Sequence, residues 1–253
     1  MVDDIKDNQK VSLIFSHFYK KYGSSSSYAC KDINLEIKGG MIFGFLGPNG
    51  AGKSTCIKSA IGLQEITEGH ILICDKDIKE NENEAKMLIG YVPDHYRLYE
   101  NLTGNEYLDF ISKIYKIPKD IKDERVHKYA SALELEQALN KKIDTYSHGM
   151  KQKITMIGSL LSNPKVWILD EPLTGLDPQS IFQVKELMKE HAKEGNIVFF
   201  SSHIIDIVEK LCTDIAIINK GEIILVQDLP AIEKEHKEGL ENFYIGLIRK
   251  ENE

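Results

Sequence analysis

The sequence has no apolar run approaching the roughly 20 residues that cross a bilayer, no internal repeat and no excess of positive charge. Lys and Arg number 32 against 39 Asp and Glu, a formal charge of −7. Phosphate backbones select for clustered positive charge, so nucleic acid is not an expected partner. The missing repeat argues against a solenoid or a duplicated domain. The start, Met1 to Asp7, is acidic where a secretion signal needs a basic stretch, and the chain is expected to stay in the cytosol. Cysteine is scarce: Cys30, Cys56, Cys74 and Cys212 form no CxxC pair. That spacing disfavours a zinc site or a disulfide framework, leaving four small buried hydrophobes.

What is present is ordinary in bulk and specific in pattern. Hydrophobic residues make up 42% and charged residues 28%, enough for a sizeable core in a chain of 253 residues. Nearly continuous apolar runs occur at 41–46, 166–169 and 197–200, each before a turn and a helical pattern. Strands buried on both faces look like this, so the sequence predicts an α/β fold with a mostly parallel sheet. One helix is expected from Pro178, with Ile181, Val184, Leu187 and Met188 on one face and Gly195 after its end. Another carries Met150, Ile154, Ile157 and Leu161, with Ser147 placed to cap it and Pro164 to close it. The weaker alternation from Val11 to Ile37 predicts antiparallel strands, with Ser24–Ser27 as a loop between them. Residues 79–86 read as a solvated face. The expected organisation is a core over 1–93 and 164–226, a helical insertion over 94–163, and a helical tail over 227–253.

Gly47-Pro48-Asn49-Gly50-Ala51-Gly52-Lys53-Ser54 matches GxxxxGK[ST] directly after a buried strand and before a helical pattern. A chance match occurs in about one chain per hundred of this length, and the flanking elements make a mere Gly-rich turn improbable. This is the P-loop of a P-loop NTPase core: Gly47, Asn49, Gly50, Ala51, Gly52, Lys53, Ser54 and Thr55 would cradle the phosphates of a nucleotide. The glycines turn backbone N–H groups inward and the helix start adds positive potential. Lys53 would neutralise the β and γ oxygens, and the Ser54 hydroxyl would ligate Mg²⁺. Asp170 ends a buried strand and would hold Mg²⁺ through water, while Glu171, pointing the other way, would face the attacking water.

With these pieces the chain resembles the ATP-binding subunits of ABC transporters from about Tyr22 to Glu222. Tyr146-Ser147-His148-Gly149-Met150-Lys151-Gln152-Lys153 is similar to the family's LSGGQ signature, Leu173-Thr174-Gly175-Leu176-Asp177 to its D-loop, and Ser201-Ser202-His203 to its switch histidine. Ser147 and Gly149 sit at a helix mouth and can form a second anion site. The resemblance implies that this site reaches the ATP of a second ATPase subunit, identical or related, in a head-to-tail dimer. It implies a fold with an N-terminal antiparallel β subdomain and an inserted helical subdomain. It places His203 at the γ-phosphate beside Glu171 and gives Tyr22 the role of stacking on adenine, with Tyr19 and Tyr28 as alternatives. Such stacking contributes roughly 1–3 kcal/mol. It implies integral membrane permease subunits as partners and a place on the inner face of the cell membrane.

Three positions, in two of the motifs, depart from the pattern. Asp94 stands where many relatives have a metal-ligating glutamine, and a carboxylate can serve Mg²⁺ too. His148 and Met150 replace a Gly and the Gln of the signature. Both departures resemble exporter-type subunits. The expectation is an ATP hydrolase powering transport. A non-transport ATPase of the same type, for cofactor assembly or translation, and a P-loop kinase are the alternatives.

Overall fold

The apolar runs form strands whose alternate residues enter different cores. Phe43 and Phe45, Val166 and Ile168, and Ile197 and Phe199 face one hydrophobic cluster; Ile42 and Leu46, Trp167 and Leu169, and Val198 and Phe200 face another. A strand buried this way has no solvated face, so its sequence loses the two-residue alternation. Each large side chain so placed contributes about 1.5–3 kcal/mol relative to exposure. The computed structural model describes residues 10–23, 27–95, 97–235 and 239–250. Met1–Asp7 and Ser24–Ser26, to which a signal-free start and a loop are assigned above, lie outside the described residues.

In chain order the structure begins with β1 (Ser12–Lys21), β2 (Tyr28–Lys38), β3 (Ile42–Leu46), α1 (Lys53–Ala60), β4 (Glu68–Ile73), β5 (Lys76–Asp77), α2 (Glu82–Met87) and β6 (Ile89–Val92). Helices α3 (Gly104–Ile114), α4 (Lys119–Ala132) and α5 (His148–Leu160) follow, then β7 (Val166–Asp170), α6 (Pro178–Lys193), β8 (Ile197–Ser202), α7 (Ile205–Leu211) and β9 (Asp214–Asn219). The described chain ends with β10 (Glu222–Asp228), α8 (Leu229–Glu235) and α9 (Gly239–Lys250). An antiparallel sheet has the order β2-β1-β4-β5, and a six-stranded sheet has the order β10-β9-β3-β8-β7-β6. In the larger sheet only the β9–β10 pair is antiparallel.

Helix boundaries follow from local chemistry. Thr103 and Glu106 close a reciprocal capping box on α3, the Ser147 hydroxyl accepts from the Met150 N–H at the start of α5, and Asp177 caps α6 just before Pro178. Among the described residues no strand lies between β6 and β7, apart from an isolated bridge of Thr103 with Lys142. At the other end the helical pattern begins two residues later than Gln227. Gln227 and Asp228 belong to β10 and pair with Ile215 and Asp214 of β9, and α8 opens at Leu229 with Pro230, which suits a first helical turn, next in line.

Cys30, Cys56 and Cys74 are buried and Cys212 partly so, and none of the four forms a disulfide. Gly44 is required by a close approach: a β-carbon there would stand 2.8 Å from Cys212 Sγ and 2.9 Å from Val208 Cγ1. Its absence lets α7, the helix after His203, settle on β3. No helix of the described residues is long and apolar enough to cross a membrane.

Candidate active site

The carboxyl ends of β3, β7 and β8 lie side by side, with Asp170 in register with Ser201 and Leu46 with Ser202. Ligands of parallel sheets bind at such an edge. Leaving β3, the chain turns through Gly47–Gly52. Gly52 flanks α1 at φ 110°, and no side chain caps that helix, so its first N–H groups stay available to an anion. A β-carbon on Gly52 would lie 2.7 Å from the Ala29 carbonyl oxygen, and one on Gly47 only 2.4 Å from that of Ile218. Gly50 is left-handed and Asn49 is exposed on the rim, while Ala51 is buried and its N–H donates to the Pro48 carbonyl.

Lys53 is buried and curls back over this loop, donating from Nζ to the Gly47 carbonyl at 2.6 Å and to Pro48 at 3.2 Å. Burial pushes its ammonium below the usual range, and the carboxylates of Glu171 and Asp170 oppose that shift. A cation in a loop of inward amides is a cradle for phosphate oxygens. Beside it, Asp170 is 3% exposed and its Oδ1 accepts from Ser201 Oγ at 2.6 Å and from Ser54 Oγ at 3.3 Å.

Glu171 does not continue the strand. Its φ is +50°, a left-handed backbone that a non-glycine residue adopts at a cost of order 1–3 kcal/mol. Its N–H donates to Ser201 Oγ at 3.0 Å, which holds the turn. The carboxylates therefore part because of this turn, rather than by strand alternation alone. Glu171 Oε2 meets His203 Nδ1 at 2.9 Å, leaving the other ring nitrogen of this half-exposed histidine for a ligand.

Tyr22 is 45% exposed and its hydroxyl lies 2.5 Å from Gln64 Oε1 and 3.3 Å from Thr55 Oγ1, so it stands against the start of α1. Tyr19 and Tyr28 pack edge to face on each other instead, and Tyr28 donates to Glu68. Asp94 lies just past β6, next to β7 in the sheet, with His95 Nε2 3.4 Å from its Oδ2. It shares an environment with Asp170 through Tyr91, whose hydroxyl burial and then those two carboxylates push up. Among the described residues no three His, Cys, Asp or Glu side chains converge as a metal cluster. The hydroxyl and carboxylate oxygens at Ser54 and Asp170 fit Mg²⁺, which binds through one or two carboxylates plus substrate oxygens and water.

Ser147 and Gly149 are not part of this gathering within one chain. Their helix α5 packs on α3, α4 and β6, whereas α1 packs on β2, β4 and β7. Ser201 belongs to the switch motif but is given no role by it. A hydroxyl closing an otherwise apolar strand is a usable signal, but its partner follows only from the β7–β8 register.

Residues 30–174 match the family model described as ABC transporter. The chain belongs to the ABC transporter family. The chain is 36% identical to the uncharacterized ABC transporter ATP-binding protein YhcH of Bacillus subtilis, over 78% of this chain and 64% of that protein's length. The chain thus spans less than two thirds of that curated relative. The bacitracin transport ATP-binding protein BcrA of Bacillus licheniformis is 35% identical over 88% of this chain and 71% of its own length. A solved ATP-binding subunit of an ABC transporter superposes with a TM-score of 0.88 at 28% identity, over 93% of this chain and 99% of that one. Of the site residues, Tyr22 and His203 fall outside the matched ABC span, and the remainder fall within it, apart from Ser201.

Proposed function

We propose that this chain binds and hydrolyses ATP with Mg²⁺ as the ATP-binding subunit of an ABC transporter, powering transport, with export as the direction. Separate integral membrane permease subunits carry the cargo and hold the chain at the inner face of the membrane. The observation that carries the reading is the convergence of Lys53, Ser54, Asp170, Glu171 and His203 on the uncapped start of α1. The names of relatives such as BcrA support transport.

In this mechanism the loop amides and Lys53 bind and neutralise the phosphates, and Tyr22 lies against the base. Ser54 and Asp170, with Asp94 at the rim, offer hard oxygens to Mg²⁺, which when bound neutralises phosphate charge. Glu171 takes the proton of the attacking water, and His203 orients that carboxylate through Nδ1 while its Nε2 faces the γ-phosphate. Ser147 and Gly149 complete the site of a second ATPase subunit, identical or related, because their own chain holds them away from α1.

The test is Glu171→Gln, which keeps size and reach but cannot accept the proton. Hydrolysis should fall by about 10²–10⁴-fold with ATP affinity preserved. The variant should elute from a sizing column as a dimer with ATP and as a monomer with ADP or no nucleotide. Undiminished hydrolysis would overturn the role of Glu171, and a monomer under all three conditions with ATP bound would count against the paired site.

A further inference from the structure

The helix that begins with Ser147 is tied to the turn that carries Glu171. Gln152, one turn into α5, is 5% exposed, and its Nε2 donates to the carbonyl oxygen of Pro172 at 2.5 Å. Its Oε1 is buried with no hydrogen-bond partner. A buried amide half left unsatisfied costs about 1–3 kcal/mol, so an apolar side chain of the same shape would serve packing alone better. What the glutamine adds is one directed bond to the peptide that follows the left-handed Glu171.

The rest of the junction is steric. A β-carbon on Gly175 would lie 3.3 Å from His148 Nε2, and one on Gly149 would lie 3.5 Å from Leu176 Cδ2. The turn itself closes with the Thr174 N–H donating to the Glu171 carbonyl at 3.3 Å. Two hydrogen bonds from outside therefore fix the turn: Ser201 Oγ accepts from the Glu171 N–H on one side, and Gln152 donates to the Pro172 carbonyl on the other.

We propose that Gln152 is a positioning residue for the Glu171 carboxylate, holding the turn at 171–174 in its active geometry through the Pro172 carbonyl. The proposal rests on the hydrolytic reading above. It makes the start of α5, which serves the second subunit's nucleotide, mechanically continuous with the general base of its own subunit.

The experiment compares Gln152→Leu with wild type for kcat, KM and ATP affinity, alone and combined with Glu171→Gln. Gln152→Leu is expected to lower kcat by roughly ten- to a hundredfold, the range that misplacement of a reacting group produces, with ATP affinity unchanged. In single turnovers on the Glu171→Gln background, the same substitution should change the rate by less than about twofold, because two members of one unit are non-additive. Equal losses on both backgrounds would overturn the proposal and make Gln152 a packing residue. A Glu171→Gln variant that hydrolyses normally would instead fail the hydrolytic reading itself. Gln152→Glu gives a second readout should the leucine variant fold poorly. Its protonated carboxyl can donate to Pro172 and its ionised form cannot, so its kcat relative to wild type should climb as pH falls from about 8 to about 6, since burial raises a carboxyl's titration range. A ratio that stays flat across that interval would count against the bond.

Discussion

Lys53 shows how one side chain joins local structure to ligand chemistry. Among the described residues its hydrogen bonds go to the carbonyls of Gly47 and Pro48, and burial disfavours its charged form against the pull of Glu171 and Asp170. A phosphate oxygen is a stronger partner, since hydrogen bonds to charged groups contribute about 1.5–3 kcal/mol. Lys53→Ala should therefore weaken ATP binding by roughly ten- to a hundredfold and depress turnover with it, as titration calorimetry and an ATPase assay would report. Affinity equal to wild type would remove Lys53 from the phosphate cradle. Lys53, Ser54 and Asp170 are legible in the sequence because a strand and the turn or helix that follows it are adjacent in the chain. The bonds of Ser201 and Gln152 are not, although both residues stand within the motifs, because each partner lies about one element away in a register that only folding sets.

Helix α6 illustrates what periodicity conveys and what it omits. Its opening Pro178 and its apolar face follow from spacing alone, while the Asp177 cap comes from the structure. The spacing does not reveal His191, which packs edge to face on Trp167 and whose imidazole burial pulls down to about 4. In the unfolded chain an imidazole titrates near ~6.5, so between those values the unfolded state binds more protons. The stability this residue contributes is thus full above about pH 6.5 and is lost as pH falls toward 4, at roughly 1.4 kcal/mol for each pH unit crossed. Denaturant midpoints measured across that interval should decline less steeply for His191→Asn than for wild type. Parallel curves would show that another group sets the acid response. The tail is the least legible element, since the strand partners of Gln227 and Asp228 lie on β9.

Taken whole, the molecule is one sheet covered on both faces, with the antiparallel sheet and α1 on one side and α3–α7 on the other. That layering is readable because unbroken apolar runs admit no solvated face, and it leaves one rim, the carboxyl ends of β3, β7 and β8, for chemistry. The separation of Ser147 and Gly149 from α1 has a genetic corollary on the proposed pairing. Each chain lends its α5 mouth to one site and its phosphate loop to the other, so defects in the two are not equivalent in a mixed population. A chain carrying Lys53→Ala and a chain carrying Ser147→Arg should each turn over poorly alone, yet on this pairing a heterodimer of the two holds one intact site opposite one that carries both lesions. Mixing the purified variants should restore part of the ATP turnover that neither shows by itself, in proportion to the heterodimers formed. Two lesions placed in the same chain should gain nothing from a second copy of that chain, and rescue by mixing would then distinguish a shared site from a self-sufficient one.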